Sequence, residues 1–215
     1  MIVIGAKGFA KEVLEVLHQL NQLEKVIFYD DVNAGIADTL YEKFPVLKST
    51  ADAKKYFETT DNRFTIGIGN PVLRKKLYDT FAALGGVFTS TISPYARIGN
   101  FGNEIGEGCN IMTGTVITND VTIKTGVLIN LNCTVGHDCT VGAFSELSPG
   151  VHISGNCTIG DYAVLGTNAT VLPKITIGKN VIIGAGSVVT KDIPDNSLAV
   201  GIPAKVIKEL TPLLF

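Results

Sequence analysis

Residues 129–147 read INLNCTVGHDCTVGAFSEL, with an aliphatic residue at every sixth position: Ile129, Val135, Val141 and Leu147. The series extends in both directions, through Ile105, Ile111, Ile117 and Ile123 before it and Ile153, Ile159, Leu165, Val171, Ile177, Ile183 and Val189 after it. Those fifteen positions hold without a miss. A period of six matches neither the 3.6 of a helix nor the 2 of a plain strand. It matches a parallel β-helix in which each unit is one short strand plus a turn. Three units close a triangular coil, so residue i stacks on residue i+18. The 90 residues from 105 to 194 make five such coils. A β-sandwich with regular turns does not keep an unbroken period of six.

Two further positions of the repeat have a meaning. The residue after the aliphatic is often glycine (Gly106, Gly136, Gly142, Gly160, Gly166, Gly178, Gly184), which reads as the need of a tight corner. The fourth residue after the aliphatic is small or β-branched in every unit and is expected to point inward. All four cysteines (Cys109, Cys133, Cys139, Cys157) fall on that position, where a thiol serves as a small apolar filler. No CxxC pair exists, so no zinc site is expected.

Before residue 90 the period of six is lost. Met1–Ile4 reads as a strand and runs into Gly5-Ala-Lys-Gly8-Phe-Ala10. A helical stretch follows, with Val13, Leu14, Val16, Leu17 and Leu20 on one side. Lys25–Tyr29 and Phe64–Ile68 are further strands, and Pro71–Leu84 is amphipathic, stopped by Gly85-Gly86. Strands alternating with helices imply a parallel sheet with helical crossovers. The expected architecture is an α/β N-terminal domain with a short parallel sheet, Rossmann-like, over residues 1–90, and a parallel β-helix with a C-terminal tail over 91–215. Ile92 and Ile98 belong to the prism, and one extra residue sits in the corner between Ile98 and Ile105.

The formal charge of −2 gives no basic footprint for nucleic acid. No apolar run reaches the ~18 residues of a membrane span. The start reads as a first strand rather than a signal peptide, which leads to the expectation of a cytoplasmic protein.

The glycine turn is GxxGxA and not GxGxxG, so it keeps the strand–turn–helix context without the dinucleotide fingerprint. Its helix N-terminus can receive a phosphate, or the turn can be a tight turn and nothing more. Gly8, Asp30, Asp31, Gly69 and Asn70 lie at expected strand ends, where ligands of such sheets bind; the two aspartates equally suit solvated turns. Of three histidines, His18 belongs to the first helix and His152 to a corner. His137 falls on the turn part of its unit and is followed by Asp138, whose carboxylate can orient and charge-stabilise an imidazole acting as general base. A plain surface histidine is the alternative. Position 137+18 is Gly155, which leaves space beside the ring and a bare N–H for an oxyanion. Asn130, seven residues before His137, is expected to present its amide to the same space.

The chain resembles the hexapeptide-repeat acyltransferases with a left-handed parallel β-helix. It resembles most the subgroup of nucleotide-linked amino-sugar N-acetyltransferases and sialic acid O-acetyltransferases. The residues that carry this are IVIGAKGFAKEVLEVL, FYDD, IGIGNPVLRKKL, INLNCTVGHDC, LSPGVHISGN, VLPKITIG, VIIGAGSVVTKDIPD and AVGIPAKVI, nearly end to end. The resemblance implies His137 as catalytic base, Asp138 as its acidic partner, Asn130 near the acceptor sugar and Gly155 on the acetyl carbonyl. It implies a nucleotide-sugar site at Gly8, Asp30, Asp31, Gly69 and Asn70, and no metal. Acetyl-CoA is expected between subunits of a homotrimer, along Gly155, Gly166 and Thr167 and then Ala185, Gly186 and Lys205. Where relatives often carry a second histidine this chain has Glu146, which would repel phosphates and can bond an amine or hydroxyl of the acceptor. The implied activity is N-acetylation of a nucleotide-linked 4-amino-4,6-dideoxy sugar for lipopolysaccharide or O-antigen synthesis, by direct transfer.

O-acetylation of a sialic acid is the rival acceptor chemistry. A non-catalytic trimeric nucleotide-binding scaffold is the rival from another class. A zinc hydratase on the same prism would need three imidazoles, and the prism offers only His137 and His152, not in stacking register.

Overall fold

The computed structural model describes residues 1–33 and 35–214. Within the prism, strands pair in parallel with the strand 18 residues on, as in Thr134↔His152, Thr140↔Thr158 and Glu146↔Val164. The early coil is longer by the expected residue, so Arg97 pairs with Val116. Three faces result. The first runs from Thr91–Ile92 through Asn110–Ile111, Leu128–Ile129 and Glu146–Leu147 to Ile182–Ile183, and ends in the antiparallel hairpin Ser197–Gly201 and Ala204–Glu209. The second runs from Arg97–Ile98 to Val188–Val189, and the third from Glu104–Ile105 to Thr176–Ile177.

The aliphatic series from Ile111 to Val189 is buried throughout, as is every small residue four places after each aliphatic. Those small residues do more than fill space. Thr115 Oγ1 donates to Asn130 O (2.9 Å) and Ser145 Oγ to Gly160 O (2.7 Å). Cys133, Cys139 and Cys157 reach Ser148 O, Ser154 O and Leu172 O at 3.1–3.2 Å. Each donor lies 15 residues before its acceptor, a corner carbonyl of the next coil. Burial pushes the thiols of Cys109, Cys133 and Cys139 up to about 11, so they stay protonated.

The corners divide their two requirements between two residues. The glycine after each aliphatic is not the left-handed residue of the turn. That conformation falls two places later, on Asp120, Asn132, Asp138, Asn156, Asn168 and Asn180 among others, with φ from +52° to +61° in these six. Short polar side chains tolerate it. The glycines are required by close approach instead: a Cβ on Gly136 would stand 2.7 Å from Gly155 N, and one on Gly142 2.4 Å from Asp161 N.

The N-terminal sheet holds β1 (Ile2–Ile4), β2 (Ile27–Tyr29), β3 (Thr39–Leu40), β4 (Phe44–Leu47), β5 (Arg63–Ile66) and β6 (Val87–Phe88), in the order β3-β4-β2-β1-β5-β6. Only β3 is antiparallel to its neighbour. The helices are α1 (Gly8–Gln19), α2 (Thr50–Thr59) and α3 (Pro71–Ala83). The sequence pattern had not pointed to the β3–β4 hairpin or to α2. Gly67 lets α1 press onto the end of β5, since a Cβ there would lie 2.6 Å from Ala10 Cα.

This α/β unit sits on the first face of the prism. Asn110 Nδ2 donates to Ile66 O (2.7 Å) and Ser93 Oγ to Gln19 Oε1 (2.7 Å), and Val16 packs with Met112 and Leu128. Arg74 of α3 is buried and donates to Gly69 O, Phe144 O and Ser145 O, which ties the end of β5 to a prism corner. Among the described residues no helix is long and apolar enough to cross a membrane.

Candidate active site

Beyond the carboxyl ends of β1, β2 and β5 lies a cleft of about 270 Å³. Gly8, Asp30, Asp31 and Gly69 line it together, with Lys7, Asn33 and Gly67. The unit forms this way because Gly5 turns the chain at φ +100° directly after β1, and α1 then starts with its N-terminus facing the cleft. Asn70 is not among the lining residues. Its Oδ1 accepts from Leu73 N (2.9 Å) as the cap of α3. Asp30 is buried and accepts from Asn33 N (3.0 Å), from Val32 N (3.3 Å) and from Asn33 Nδ2 at both oxygens (2.9 and 2.8 Å). It shapes the loop after β2, and Asp31 is the exposed acid of the pair.

Lys7 and Asn33 had not been singled out in the sequence. Lys7 Nζ donates to Asn33 Oδ1 (2.7 Å) across the cleft mouth, which places one cation beside the α1 N-terminus.

Glu146 stands on the first face, against the cleft rim: a Cβ on Gly69 would lie 3.2 Å from its Oε2. Its side chain is 18% exposed, its Oε2 is 3.9 Å from Arg74 Nη1, and Ser148 Oγ donates to Oε1 at 3.3 Å. Burial raises Glu146 above the ordinary carboxylate value, against the opposite pull of Arg74. Burial also pushes Arg74 down to about 10, against the pull of Glu146. For both partners desolvation outweighs the mutual attraction.

His137 and Asp138 stand exposed on the edge where the second and third faces meet. Asp138 Oδ2 accepts from His137 Nδ1 at 2.6 Å, which leaves Nε2 as the outward nitrogen. Asp138 is also the left-handed corner residue of its unit, φ +57°, so the geometry of the turn aims its carboxylate. Gly155 lies one coil away under the ring: a Cβ there would be 2.6 Å from Nε2. The open space foreseen beside His137 is thus occupied by the imidazole itself. Among the described residues no oxygen accepts from the Gly155 N–H.

The strand order separates residues that the sequence spacing had placed together. Asn130 is not beside His137. It follows Ile129 on the edge between the first and second faces, where its Oδ1 accepts from Leu131 N (2.7 Å). Seven residues carry the chain across a whole face, from one edge to the next. Ser148, Gly166 and Gly184 stack on Asn130 along that same edge, and Thr167, Ala185 and Gly186 follow in the corners of the upper coils. Lys205 is exposed on the terminal hairpin, paired with Val200, whose Cγ1 abuts Gly184. His152 is not a corner residue but a strand residue facing outward from the second face, where Nδ1 shares a hydrogen bond with Thr134 Oγ1 (2.9 Å). His18 is exposed on α1. Among the described residues no three His, Cys, Asp or Glu side chains gather to hold a metal ion.

Known proteins match this chain in both halves. Residues 1–81 match the PglD N-terminal domain, residues 156–191 the bacterial transferase hexapeptide (six repeats), and residues 132–160 the hexapeptide repeat of succinyl-transferase. The structure is similar to perosamine N-acetyltransferase from Caulobacter crescentus, solved as a histidine variant with CoA and GDP-perosamine. The TM-score is 0.89 at 33% identity, over 97% of this chain and 96% of that one. It is also similar to the acetyltransferase domain of PglB from Neisseria gonorrhoeae FA1090 (TM-score 0.86, 34% identity, 96% and 98% covered). WeeI from Acinetobacter baumannii AYE is a third such structure (TM-score 0.87, 33% identity, 96% and 98% covered). The bifunctional protein GlmU of Koribacter versatilis (strain Ellin345) is 33% identical over 107 residues; the match spans 49% of this chain and only 16% of that protein. With a PglD-type N-terminal domain, a hexapeptide prism and near-complete overlap with solved acetyltransferases at a third identity, the chain belongs to the left-handed β-helix, hexapeptide-repeat acyltransferase family.

Proposed function

We propose that this protein transfers the acetyl group of acetyl-CoA to the amine of a nucleotide-linked 4-amino-4,6-dideoxy sugar in surface-glycan synthesis, with His137 as general base. The observation that carries the reading is the His137–Asp138 pair stacked over Gly155. Nε2 takes the proton of the amine as nitrogen attacks the thioester carbonyl. Asp138 keeps Nδ1 protonated and stabilises the imidazolium, a role worth roughly 10²–10⁴-fold for a general base. The free Gly155 N–H is the donor for the oxyanion, and the imidazolium returns its proton to the leaving thiolate. The four cysteines are buried inside the prism and offer no accessible nucleophile for a covalent intermediate.

The nucleotide belongs in the cleft after β1, its phosphates at the N-terminus of α1 beside Lys7. That cleft lies on the first face, and His137 lies on the edge opposite that face. A sugar held in the cleft therefore meets the histidine of another copy. The edge carrying Asn130, Gly166, Thr167, Ala185 and Gly186 and the edge carrying His137 and Gly155 bound one and the same face. A closed ring of copies brings one edge of each against the other edge of the next, with acetyl-CoA between them. Three triangular prisms make such a ring, and this supports the homotrimer.

Thiol release from acetyl-CoA with UDP-, dTDP- and GDP-linked 4-amino-4,6-dideoxy sugars, and free sialic acid alongside, tests the reading. Turnover of one amino sugar that collapses in His137→Ala is expected. Activity confined to sialic acid would replace N- by O-acetylation, and amino-sugar turnover untouched in His137→Ala would remove the base.

A further inference from the structure

Two partly buried carboxylates border the nucleotide cleft, and their hydrogen bonding differs. Asp30 is well supplied: its Oδ1 accepts from the backbone N–H groups of Val32 and Asn33 and from the Asn33 amide, which also donates to Oδ2. Glu146 is the reverse. A carboxylate offers about four acceptor positions. Against these stand one long hydrogen bond from Ser148 (3.3 Å) and an ion pair with Arg74 at 3.9 Å. Arg74 supplies charge but few donors: Nη1 donates to Gly69 O and Nη2 to Phe144 O and Ser145 O, while its buried Nε has no hydrogen-bond partner among the described residues. A carboxylate drawn out of water with so few donors is unfavourable unless a partner completes it.

The partner must come from the cleft side, since Oε2 faces Gly69 at the rim. A primary amine brings two N–H donors, and an ammonium three with a positive charge. A hydroxyl brings a single donor, and a sugar carboxylate brings charge of the wrong sign. Glu146, Asn130 and Ser148 share one end of the first face.

We propose that Glu146, held in place by Arg74 and Ser148, is the specificity-determining residue that receives the acceptor's amine and so favours amino sugars over hydroxylated ones. It rests on the acetyl-transfer reading above and adds to it a reason for nitrogen over oxygen as the acceptor atom. Arg74 is a positioning residue in this scheme: it keeps a negative charge at the rim without filling the oxygens that the amine needs.

The test is calorimetric, so it does not depend on turnover. Binding of UDP-, dTDP- and GDP-linked 4-amino-4,6-dideoxy sugars is measured beside the same nucleotides carrying the 4-hydroxy sugar, in wild type, Glu146→Gln and Glu146→Asp. Wild type is expected to prefer the amine at least tenfold, Glu146→Gln to lose most of that preference with binding of the hydroxy sugar unchanged, and Glu146→Asp to keep part of it. The KM for the amine should rise in Glu146→Gln while the KM for acetyl-CoA stays put. An unchanged amine preference in Glu146→Gln would overturn the assignment of Glu146 and leave the acetyltransferase reading standing. Wild type that binds none of the amino sugars would overturn both.

Discussion

The His137 imidazole fills the space that a side chain at residue 155 would need: a Cβ built there would stand 2.6 Å from Nε2 and 2.7 Å from Cε1. Glycine at 155 is thus the floor on which the proposed base rests. Gly155→Ala should push the ring off its position and lower kcat by about 10²-fold, a loss typical of an angstrom-scale misplacement. The melting temperature should move little, because residue 155 takes no left-handed φ. Wild-type kcat in Gly155→Ala would show that the ring position does not matter.

Asp138 has two roles that substitution can separate. Asn keeps the short side chain suited to φ +57°, while Val does not. Asp138→Asn should leave the melting temperature near wild type and reduce kcat by about 10²-fold, the lower end of a general-base contribution. Asp138→Val should in addition cost ~1–2 kcal/mol of stability from the strained corner. Denaturant titration beside steady-state kinetics resolves the two effects.

The cleft and His137 lie on opposite sides of each prism, so the two half-sites can be broken in different chains. His137→Ala and Gly8→Leu, the latter filling the cleft where a Cβ meets nothing within 4 Å, should each be inactive alone. Unfolded together and refolded at 1:1, random mixing in a closed ring pairs an intact cleft with an intact histidine at about a quarter of the sites. Recovery of activity near that level is expected. None at all would place both half-sites in one chain.

Ser145 Oγ donates to Gly160 O (2.7 Å) and accepts from Ala163 N (3.0 Å) inside the prism. Ser145→Ala leaves both buried groups without that partner and should destabilise the protein by about 1–3 kcal/mol. Chemical denaturation measures this directly, and a neutral outcome would reduce the inward hydroxyls and thiols to space-fillers.

Glu146 carries a stability cost of its own. Burial raises it above its ordinary value, with Arg74 and Ser148 pulling the other way. Folding therefore disfavours the charged form relative to the unfolded chain. The stabilisation from the neutral form is full below the unfolded carboxylate value, and it disappears as pH rises through the raised folded one. Glu146→Gln, neutral at every pH, should melt above wild type at pH 7, with the gap closing toward pH 4. A lower melting temperature at pH 7 would mean that Arg74 depends on the charge more than burial opposes it.

The prism was legible in the sequence because its signal is periodic: each aliphatic is buried for the same reason, and stacking at 18 residues follows from three units per coil. The pairing of His137 with Asp138 and its overlay on Gly155 were readable for the same reason, being local or in stacking register. Asn130 was misplaced because a seven-residue step in sequence crosses a full face, and only the coil geometry says which edge it reaches. The repeat glycines were legible as residues of tight corners, but only the stacked coils show that it is close approach to the next coil that leaves no room for a Cβ. The β3–β4 hairpin has no such regularity, and its turn places Tyr41 and Glu42 at positive φ without the usual Asn or Gly to announce it. Arg74 was invisible because an arginine on an amphipathic helix looks like a solvent residue until its carbonyl partners, some 70 positions away, are known.

Arg74 also limits how freely this protein could be recombined. The N-terminal unit and the prism match separate family descriptions, and a junction near residue 90 looks like a natural place to cut. Yet the guanidinium that steadies Gly69, at the mouth of the cleft, has two of its three carbonyl anchors on Phe144 and Ser145, in the other unit. A chimera that transplants the cleft onto a foreign prism inherits a buried cation whose anchors stayed behind. Exchange between relatives would have to carry the 144–148 corner along with the first eighty residues, so two segments far apart in sequence are bound to change together.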